Sequence, residues 1–242
     1  MKILLRLVLA SVLVVPLAVQ ADGLSKDRVK ELVLEAIREN PEIVLEAVQI
    51  IEQREQQRQA AAAATVLSEN RDLLENDPNA PVLGNPEGDV TVVEFFDYNC
   101  PYCRRVKPHI EALLEADPNV RLVYREWPIL GDGSVFAARA ALAAREQGKY
   151  EEFHWALMGM AGRAEEASVI QVAEQVGLHV AQLRRDMESP EIDAHIAASM
   201  ELSRALGFNG TPSFVIGDAL VPGVIEADQM IRLAEDARAA GQ

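Results

Sequence analysis

The chain has 242 residues, of which 49% are hydrophobic, and its formal net charge at pH 7 is −15. A chain of this length and composition can bury a substantial core. Its acidity argues against nucleic acid as a partner, because phosphates repel a negatively charged surface.

Residues 1–21 have the features of a secretory signal. Lys2 and Arg6 form a positive n-region, and the apolar stretch at 7–19 is too short to span a bilayer comfortably. Residues 19–21 form a cleavage site of the small-residue type. The alternative is an uncleaved membrane anchor. Export predicts a periplasmic protein in an oxidising compartment, where a lone cysteine pair can work as a disulfide catalyst.

The segment 22–77 is predicted to be helical. Ser25 is the predicted N-cap of a first helix. Asn40 and Pro41 predict a stop and a restart, with Asn40 as N-cap and Pro41 as the first residue of a second helix. The second helix is expected to run for about 35 residues, or on the order of 50 Å, to Leu74. One apolar face carries Val29, Leu32, Val33, Ala36 and Ile37, and the next carries Val44, Leu45, Val48 and Ile51.

These apolar faces need a partner surface, because two helices of this size cannot bury a core alone. They either pack on the rest of the same chain or associate with copies of themselves. The polar, alanine-rich stretch from Gln53 to Ala64 favours self-association, since it separates the apolar faces from the rest of the chain as a spacer would. The apolar pattern does not fix the number of associating chains.

Pro78 and Pro81 cannot continue a helix, and they mark the start of a second domain at 78–242. Its predicted elements are an edge strand near Val82, strand 90–96, helix 101–115, strand 120–126, a helical block from Phe136 to Leu206, strand 213–217, a hairpin partner at Leu220–Val221 and a final helix at 227–239. Strands interrupted by one helical block predict an α/β thioredoxin fold with a helical insertion at about 133–207.

Cys100 and Cys103 are the only cysteines, and they lie where strand 90–96 gives way to the next helix. This arrangement is typical of a thiol–disulfide redox centre. The positive end of the helix dipole stabilises a thiolate, so Cys100 is the predicted nucleophile, partly exposed and with a lowered pKa. Cys103 follows one helical turn later and can resolve a mixed disulfide. The redox-active pair therefore needs no external cofactor.

Two other interpretations of the cysteines fit the sequence less well. A stapling disulfide would close so small a loop that it would constrain the unfolded chain little. A half zinc site would need two further ligands, and none of the four histidines is spaced as a ligand would be, so no metal site is predicted. Arg104, Arg105 and Lys107 follow the pair and either steer the thiolate or form a solvated helix face.

Thr211 and Pro212 precede the short apolar strand at 213–217, and proline suits the first residue of a strand. A cis bond between them would place a fixed kink opposite the cysteines. The backbone of Thr211 would then be open to an extended substrate peptide, which could pair with it as an added strand. The alternative is a plain turn proline.

Three ordered motifs resemble the DsbA-like branch of the thioredoxin superfamily, and within it the ScsC-like periplasmic proteins. They are EFFDYNCPYC at 94–103, YREWP at 124–128 and GTPSF at 210–214, and the resemblance covers the chain from about residue 80 to its C-terminus. In similar proteins an acid at the position of Glu94 assists proton transfer at the resolving thiol, and burial would raise its pKa for that task. A solvent-facing Glu94 is the alternative.

Pro101 and Tyr102 lie between the cysteines and are expected to tune the redox couple. Strongly oxidising DsbA-type proteins have histidine at the position of Tyr102, so the resemblance implies a weaker oxidant here. It also implies that the N-terminal helices act as a trimerisation element. Several active sites in one assembly favour a disulfide isomerase or reductase that acts on cysteine-containing exported proteins and is reset by a membrane redox partner. The alternatives are a dithiol oxidase and a Cu(I)-binding copper-tolerance protein.

Overall fold

The computed structural model describes residues 25–241, and the predicted signal at 1–21 lies outside this range. The chain divides into two compact units, one up to Glu55 and one from Gln56 onward. Among the described residues, none of the helices combines the length and the hydropathy needed to cross a membrane.

The helices are α1 (Lys26–Glu39), α2 (Glu42–Asn76), α3 (Pro101–Ala116), α4 (Asp132–Ala143), α5 (Tyr150–Gly159), α6 (Glu166–Gln175), α7 (Val180–Asp186), α8 (Pro190–Ala205) and α9 (Ala227–Ala239), with a 3-10 helix at Ala144–Gln147. The strands are β1 (Val82–Gly84), β2 (Val90–Phe96), β3 (Val120–Glu126), β4 (Ser213–Ile216) and β5 (Ala219–Pro222).

The first unit consists of α1 and the beginning of α2. The Ser25 hydroxyl accepts a hydrogen bond from the Arg28 N–H at 3.2 Å, which confirms Ser25 as N-cap. The prediction for Asn40 was wrong, because its N–H continues the α1 hydrogen-bond ladder to the Ala36 carbonyl and makes it the C-cap of that helix. Helix α2 then begins at Glu42 and runs unbroken for 35 residues.

Apolar side chains cover much of the surface of this first unit, and no residue of α1 is buried. The large exposed ones are Val29, Leu32, Val33, Leu34, Ile43, Val44, Leu45, Val48, Ile50 and Ile51. Monomeric soluble proteins rarely leave so much contiguous apolar surface in water. The apolar faces predicted from the sequence are therefore exposed in the single chain.

The second unit is built on a five-stranded sheet with the order β1-β3-β2-β4-β5. Strands β2 and β3 are parallel and are connected through α3, whereas the other pairs are antiparallel. Helices α4 to α8 lie in the chain between β3 and β4, from Asp132 to Ala205, close to the predicted insertion. The α/β thioredoxin fold with a helical insertion is confirmed.

Alternating side chains of the central strands supply a core on each face of the sheet. One core contains Val92, Phe96, Leu122, Tyr124, both cysteines and residues of the insertion. The other contains Val93, Phe95, Val123, Phe208, Leu202 and Leu206. Glu94 shares the first face with Val92 and Phe96, so the fold itself points this carboxyl toward the cysteines.

The last turns of α2 pack into the second of these cores. Leu67 and Leu74 are 2% and 0% exposed and belong to the same cluster as Phe95. Arg121 donates a hydrogen bond to the Glu75 carbonyl at 2.8 Å. The predicted N-terminal segment extends to residue 77, but its final part is structurally part of the sheet domain. Periodicity along one helix does not reveal which of its turns meets another element.

This packing predicts a position-specific effect on stability. Leu74→Ala should lower the free energy of unfolding by about 2–5 kcal/mol, because it leaves a cavity in a packed core. Its neighbour provides the matched control: Leu73 is 43% exposed, and Leu73→Ala should change the same quantity by about 0.5 kcal/mol or less. Urea unfolding of both variants measures the difference. Equal effects would show that the end of α2 is not anchored on the sheet.

Candidate active site

Cys100 is the N-cap of α3, and Cys103 lies in the first turn of that helix. Both are free thiols. Cys100 is only 4% exposed and Cys103 is fully buried, so the predicted partial exposure of Cys100 was wrong. The physical reason is the Thr211 backbone, whose carbonyl oxygen lies 3.2 Å from the Cys100 sulfur and accepts a hydrogen bond from its thiol.

The pKa of Cys100 is lowered from 9.0 to about 6. The largest cause is a hydrogen bond from the Cys103 thiol, and the Thr211 side chain and the backbone N–H groups of Cys103 and Tyr102 add to it, while burial opposes it. The two N–H groups belong to the first turn of α3, where backbone donors have no partner within the helix. The expected lowering of the Cys100 pKa is therefore present, but the second cysteine contributes more than the helix end.

The environment of Cys103 has the opposite effect. Burial raises its pKa well above 9.0, and the hydrogen bond to Cys100 and the negative charge of Glu94 raise it further. The two sulfurs thus differ in protonation near neutral pH although they are one helical turn apart. A thiolate at Cys100 and a thiol at Cys103 form the arrangement that a nucleophile and a resolving group need.

Glu94 lies in the centre of the sheet, paired with Tyr124 on β3 and Phe214 on β4. Its side chain is fully buried, and neither carboxylate oxygen has a hydrogen-bond partner in the described structure. Burial raises the pKa of Glu94 well above 4.5, and the negative charge of Cys100 raises it further. Glu94 is therefore not solvent-facing, and a carboxyl with such a pKa can hold or release a proton near neutrality.

A short turn connects β2 to Cys100 and is held by two side chains that were not predicted as site residues. Asp97 accepts hydrogen bonds from the N–H groups of Asn99 (2.7 Å), Ile129 (2.8 Å) and Leu130 (3.0 Å). The Asn99 side chain accepts one from the Ala164 N–H at 2.7 Å and donates one to the Ala164 carbonyl at 3.0 Å. An acidic residue two positions before an asparagine after a strand is a turn signal that could have indicated this arrangement.

Arg104 also holds this turn, which makes it more than part of a solvated helix face. It donates hydrogen bonds to the carbonyls of Tyr98 (3.1 Å), Met160 (3.2 Å) and Gly162 (2.6 Å). Its guanidinium therefore joins α3, the turn before Cys100 and the loop between α5 and α6. By contrast, Arg105 lies over the exposed Tyr102 ring, 5.2 Å from its centroid.

The remaining predicted site residues are Thr211, Pro212, Pro101 and Tyr102. The Thr211–Pro212 peptide bond is cis. Thr211 contacts Cys100 through its carbonyl, and Pro212 is buried at the start of β4. Pro101 and Tyr102 are exposed, with Tyr102 at 52%. The fold thus brings Cys100, Cys103, Glu94 and Thr211 together, and Pro101 and Tyr102 form the outer edge of the same site.

Comparison with known proteins identifies the family to which the chain belongs. Residues 91–235 match the DSBA-like thioredoxin domain. The chain belongs to this family. A thioredoxin-like oxidoreductase from Silicibacter pomeroyi DSS-3 is 70% identical, with a TM-score of 0.70 over 70% of this chain and 98% of that one. Proteus mirabilis ScsC in a compact conformation is 29% identical, with a TM-score of 0.68 over 90% of this chain and 100% of that one. The protein BcfH of Salmonella enterica Typhimurium is 28% identical, with a TM-score of 0.73 over 88% and 95%.

Part of a much longer curated protein also resembles the chain. The Na(+)/H(+) antiporter NhaA 3 of Salinispora tropica is 32% identical over 137 residues, which are 56% of this chain and 21% of the antiporter. The chain therefore spans about a fifth of the length of this relative. This match indicates a domain related to the chain within that antiporter.

The geometry predicts how Cys100 reacts with alkylating agents. In the reduced protein, the rate of its alkylation should rise with pH about a midpoint near 6, because the thiolate is the nucleophile. Cys103→Ala should move this midpoint to higher pH, since it removes the largest cause of the low value. Iodoacetamide kinetics followed by mass spectrometry measure both. Cys100→Ala is the control and should react slowly near pH 7. An unchanged midpoint in Cys103→Ala would contradict the role of the thiol pair.

Proposed function

We propose that this protein is a periplasmic thiol–disulfide oxidoreductase that acts on cysteine-containing exported proteins, and that it works as an isomerase or reductase. The observation that carries the proposal is the opposite perturbation of two adjacent thiols, with the pKa of Cys100 lowered to about 6 and that of Cys103 raised. Membership of the DSBA-like family supports oxidoreductase chemistry. The proposed compartment follows from the predicted signal and from the oxidising conditions that such chemistry uses.

In the proposed reaction the Cys100 thiolate attacks one sulfur of a substrate disulfide. A bond forms between Cys100 and that sulfur, the substrate S–S bond breaks, and the other substrate sulfur leaves as a thiolate. In isomerisation, a second substrate thiolate then attacks the mixed disulfide and releases Cys100 reduced, with no net transfer of electrons. In reduction, Cys103 attacks Cys100, the substrate gains two electrons and the enzyme pair becomes a disulfide. A membrane dithiol partner would return these electrons.

Glu94 is the proposed proton acceptor for Cys103 in the resolving step. The Cys100 thiolate helps to keep Glu94 protonated, because its charge raises the pKa of that carboxyl. A mixed disulfide at Cys100 carries no charge, so this contribution disappears when the intermediate forms. Glu94 then becomes a stronger acid and loses its proton to solvent more readily, and the resulting carboxylate can accept the proton of Cys103. The protonation of Glu94 is thereby coupled to the state of Cys100.

The surface around the cysteines suits an unfolded or extended protein substrate. The large apolar side chains of Tyr102, Ile129, Leu130 and Val135 are between 39% and 52% exposed. Ile129 and Leu130 are held beside the active-site turn by their hydrogen bonds to Asp97. An apolar surface next to the nucleophile can bind side chains that a folded substrate would bury, and Thr211, a half-buried residue, can offer its backbone to an extended chain.

The direction of catalysis is inferred from the first unit. Its exposed apolar surface would be buried by self-association, and a homo-oligomer places several cysteine pairs around one substrate. We propose a trimer on the resemblance to ScsC-like proteins. An isomerase must have reduced cysteines, and several active sites help it to act repeatedly on one misfolded chain. A monomeric dithiol oxidase is the competing function.

A Cu(I)-binding role depends on the cysteine pair alone. Within residues 25–241, no group of three or more His, Cys, Asp or Glu side chains is placed to hold a metal ion. Two thiolates can still bind a soft ion such as Cu(I). Measuring the copper content of the reduced protein purified from copper-supplemented cells tests this alternative.

The proposed role of Glu94 predicts a selective kinetic defect. Glu94→Gln keeps the shape of the side chain but cannot accept a proton, so mixed disulfides should accumulate and reductive turnover should fall by about 10²-fold. The fold should be retained, because the buried carboxyl makes no hydrogen bond that would be lost. Glu111→Gln, on the exposed face of α3, is the matched control and should turn over normally. Unchanged turnover in Glu94→Gln would remove Glu94 from the mechanism.

The isomerase proposal is tested by removing the first unit. Deletion of residues 22–55 should convert an oligomer into a monomer, as measured by light scattering. The deletion stops before Leu67 because that side chain is buried in the sheet domain. The monomer should lose the ability to reactivate scrambled RNase but retain oxidation of reduced RNase, since the cysteines are unchanged. A monomeric full-length protein, or full isomerase activity in the shortened one, would favour the dithiol oxidase.

A further inference from the structure

A buried ionic cluster lies apart from the cysteines and plays no part in the proposed thiol–disulfide exchange. Arg125 Nη1 contacts Asp77 Oδ2 at 2.7 Å. The His195 ring lies between two carboxylates, with Nδ1 at 3.2 Å from Asp77 Oδ2 and Nε2 at 2.7 Å from Glu126 Oε2. The side chains of Arg125, His195, Glu126 and Asp77 are between 0% and 6% exposed.

The charge of this cluster depends on one proton. When His195 is protonated, two positive and two negative groups balance, and both ring N–H groups have a carboxylate acceptor. A neutral ring has only one N–H, so one nitrogen lone pair then faces a carboxylate oxygen. The cluster would also carry one uncompensated negative charge, which is costly in a buried position.

The surroundings of His195 favour the protonated ring. Burial by itself would lower its pKa, but the hydrogen bonds to Asp77 and Glu126 outweigh burial and raise the pKa above 6.5. Arg125 opposes this effect. His195 also lines a cavity of about 560 Å³. Asp77, Arg125 and Glu126 face the ring of His195, and Tyr150 is connected to it through Glu126. The charged groups around the cavity are Arg145, Glu146, Asp186 and Glu191.

Three separate parts of the domain meet at this imidazole. Asp77 follows directly after α2, Glu126 ends β3, and His195 lies in the middle of α8 in the helical insertion. The Tyr150 hydroxyl on α5 donates a hydrogen bond to the other oxygen of Glu126 at 2.7 Å. Arg145, in the 3-10 helix of the insertion, also donates hydrogen bonds to the Pro78 and Asn79 carbonyls. Beside these pairwise contacts, the protonated ring bonds to the end of the central strand and to the segment that follows α2 at once.

We propose that His195 is a pH-responsive clasp: its protonated ring holds helix α8 to the end of β3 and to the segment after α2, and loss of the proton at neutral to alkaline pH loosens this junction. The stabilisation from His195 is fully present below its unfolded pKa, near 6.5, and is lost as the pH rises through the higher folded value. The contribution of Asp77, whose folded pKa is lowered, is lost on acidification below 3.8 instead.

Hydrogen exchange of the full-length protein between pH 5 and pH 9, corrected for the intrinsic pH dependence, tests the clasp. Protection of residues 73–80 and 190–200 should fall on the order of tenfold as the pH rises through the titration of His195. In His195→Gln, protection of these segments should be low and should not vary with pH in this range. His179→Gln is the matched control, since His179 is exposed, and it should behave as the wild type does.

A second variant and a direct titration keep the test decisive if His195→Gln does not fold. Glu126→Gln removes one of the two carboxylates, so the loss of protection should move to lower pH. The ring of His195, followed by NMR in the wild-type protein, should titrate above pH 6.5. The clasp is wrong if the ring titrates below 6.5, if wild-type protection is independent of pH, or if Glu126→Gln leaves the transition where it was.

Discussion

The hydrogen bond between the two thiols sets the chemistry of this site. Cys100 and Cys103 are both almost completely buried, so exposure to solvent does not distinguish them. Burial raises the pKa of both thiols and is the largest cause at Cys103. At Cys100, hydrogen bonds from Cys103, from the Thr211 side chain and from the first turn of α3 outweigh burial, whereas at Cys103 the hydrogen bond to Cys100 and the charge of Glu94 act in the same direction as burial. The contact that stabilises one sulfur as an anion therefore also helps to keep the other one protonated.

That contact depends on how the turn before Cys100 is held. Asp97 fixes the residues after β3, Asn99 pairs with Ala164, and Arg104 reaches the loop after α5. All of these partners lie beyond β3, in the helical insertion or at its start. The insertion thus does more than enlarge the core, because it supplies the acceptors and donors that orient the nucleophile. A thioredoxin sheet without it would leave this turn with far fewer constraints.

Local signals in the sequence were sufficient to predict the strands, helix α3 and the cysteine pair, because each of these features is determined by residues that are adjacent in the chain. The burial of Glu94 near the cysteines was expected only from the family resemblance, and its local sequence left a solvent-facing side chain open. The contacts between distant residues could not be predicted in the same way. His195 and Asp77 are 118 residues apart, and Arg104 and Gly162 are 58 apart. Nothing in the surroundings of either residue along the chain indicates its partner, and the burial of Leu74 likewise depends on a sheet surface formed by other segments.

The Thr211 carbonyl on the Cys100 sulfur has a consequence for oxidative damage. Cysteine oxidation to sulfenic and sulfinic acids generally requires both thiolate character and access to solvent. Cys100 has the first property and, at 4% exposure, almost none of the second. A peptide substrate can compete for the Thr211 backbone by pairing with it, and this pairing would uncover the sulfur. The same carbonyl should therefore slow the reaction of the free protein with dissolved reagents, hydrogen peroxide and iodoacetamide alike, relative to the reaction with a bound protein disulfide.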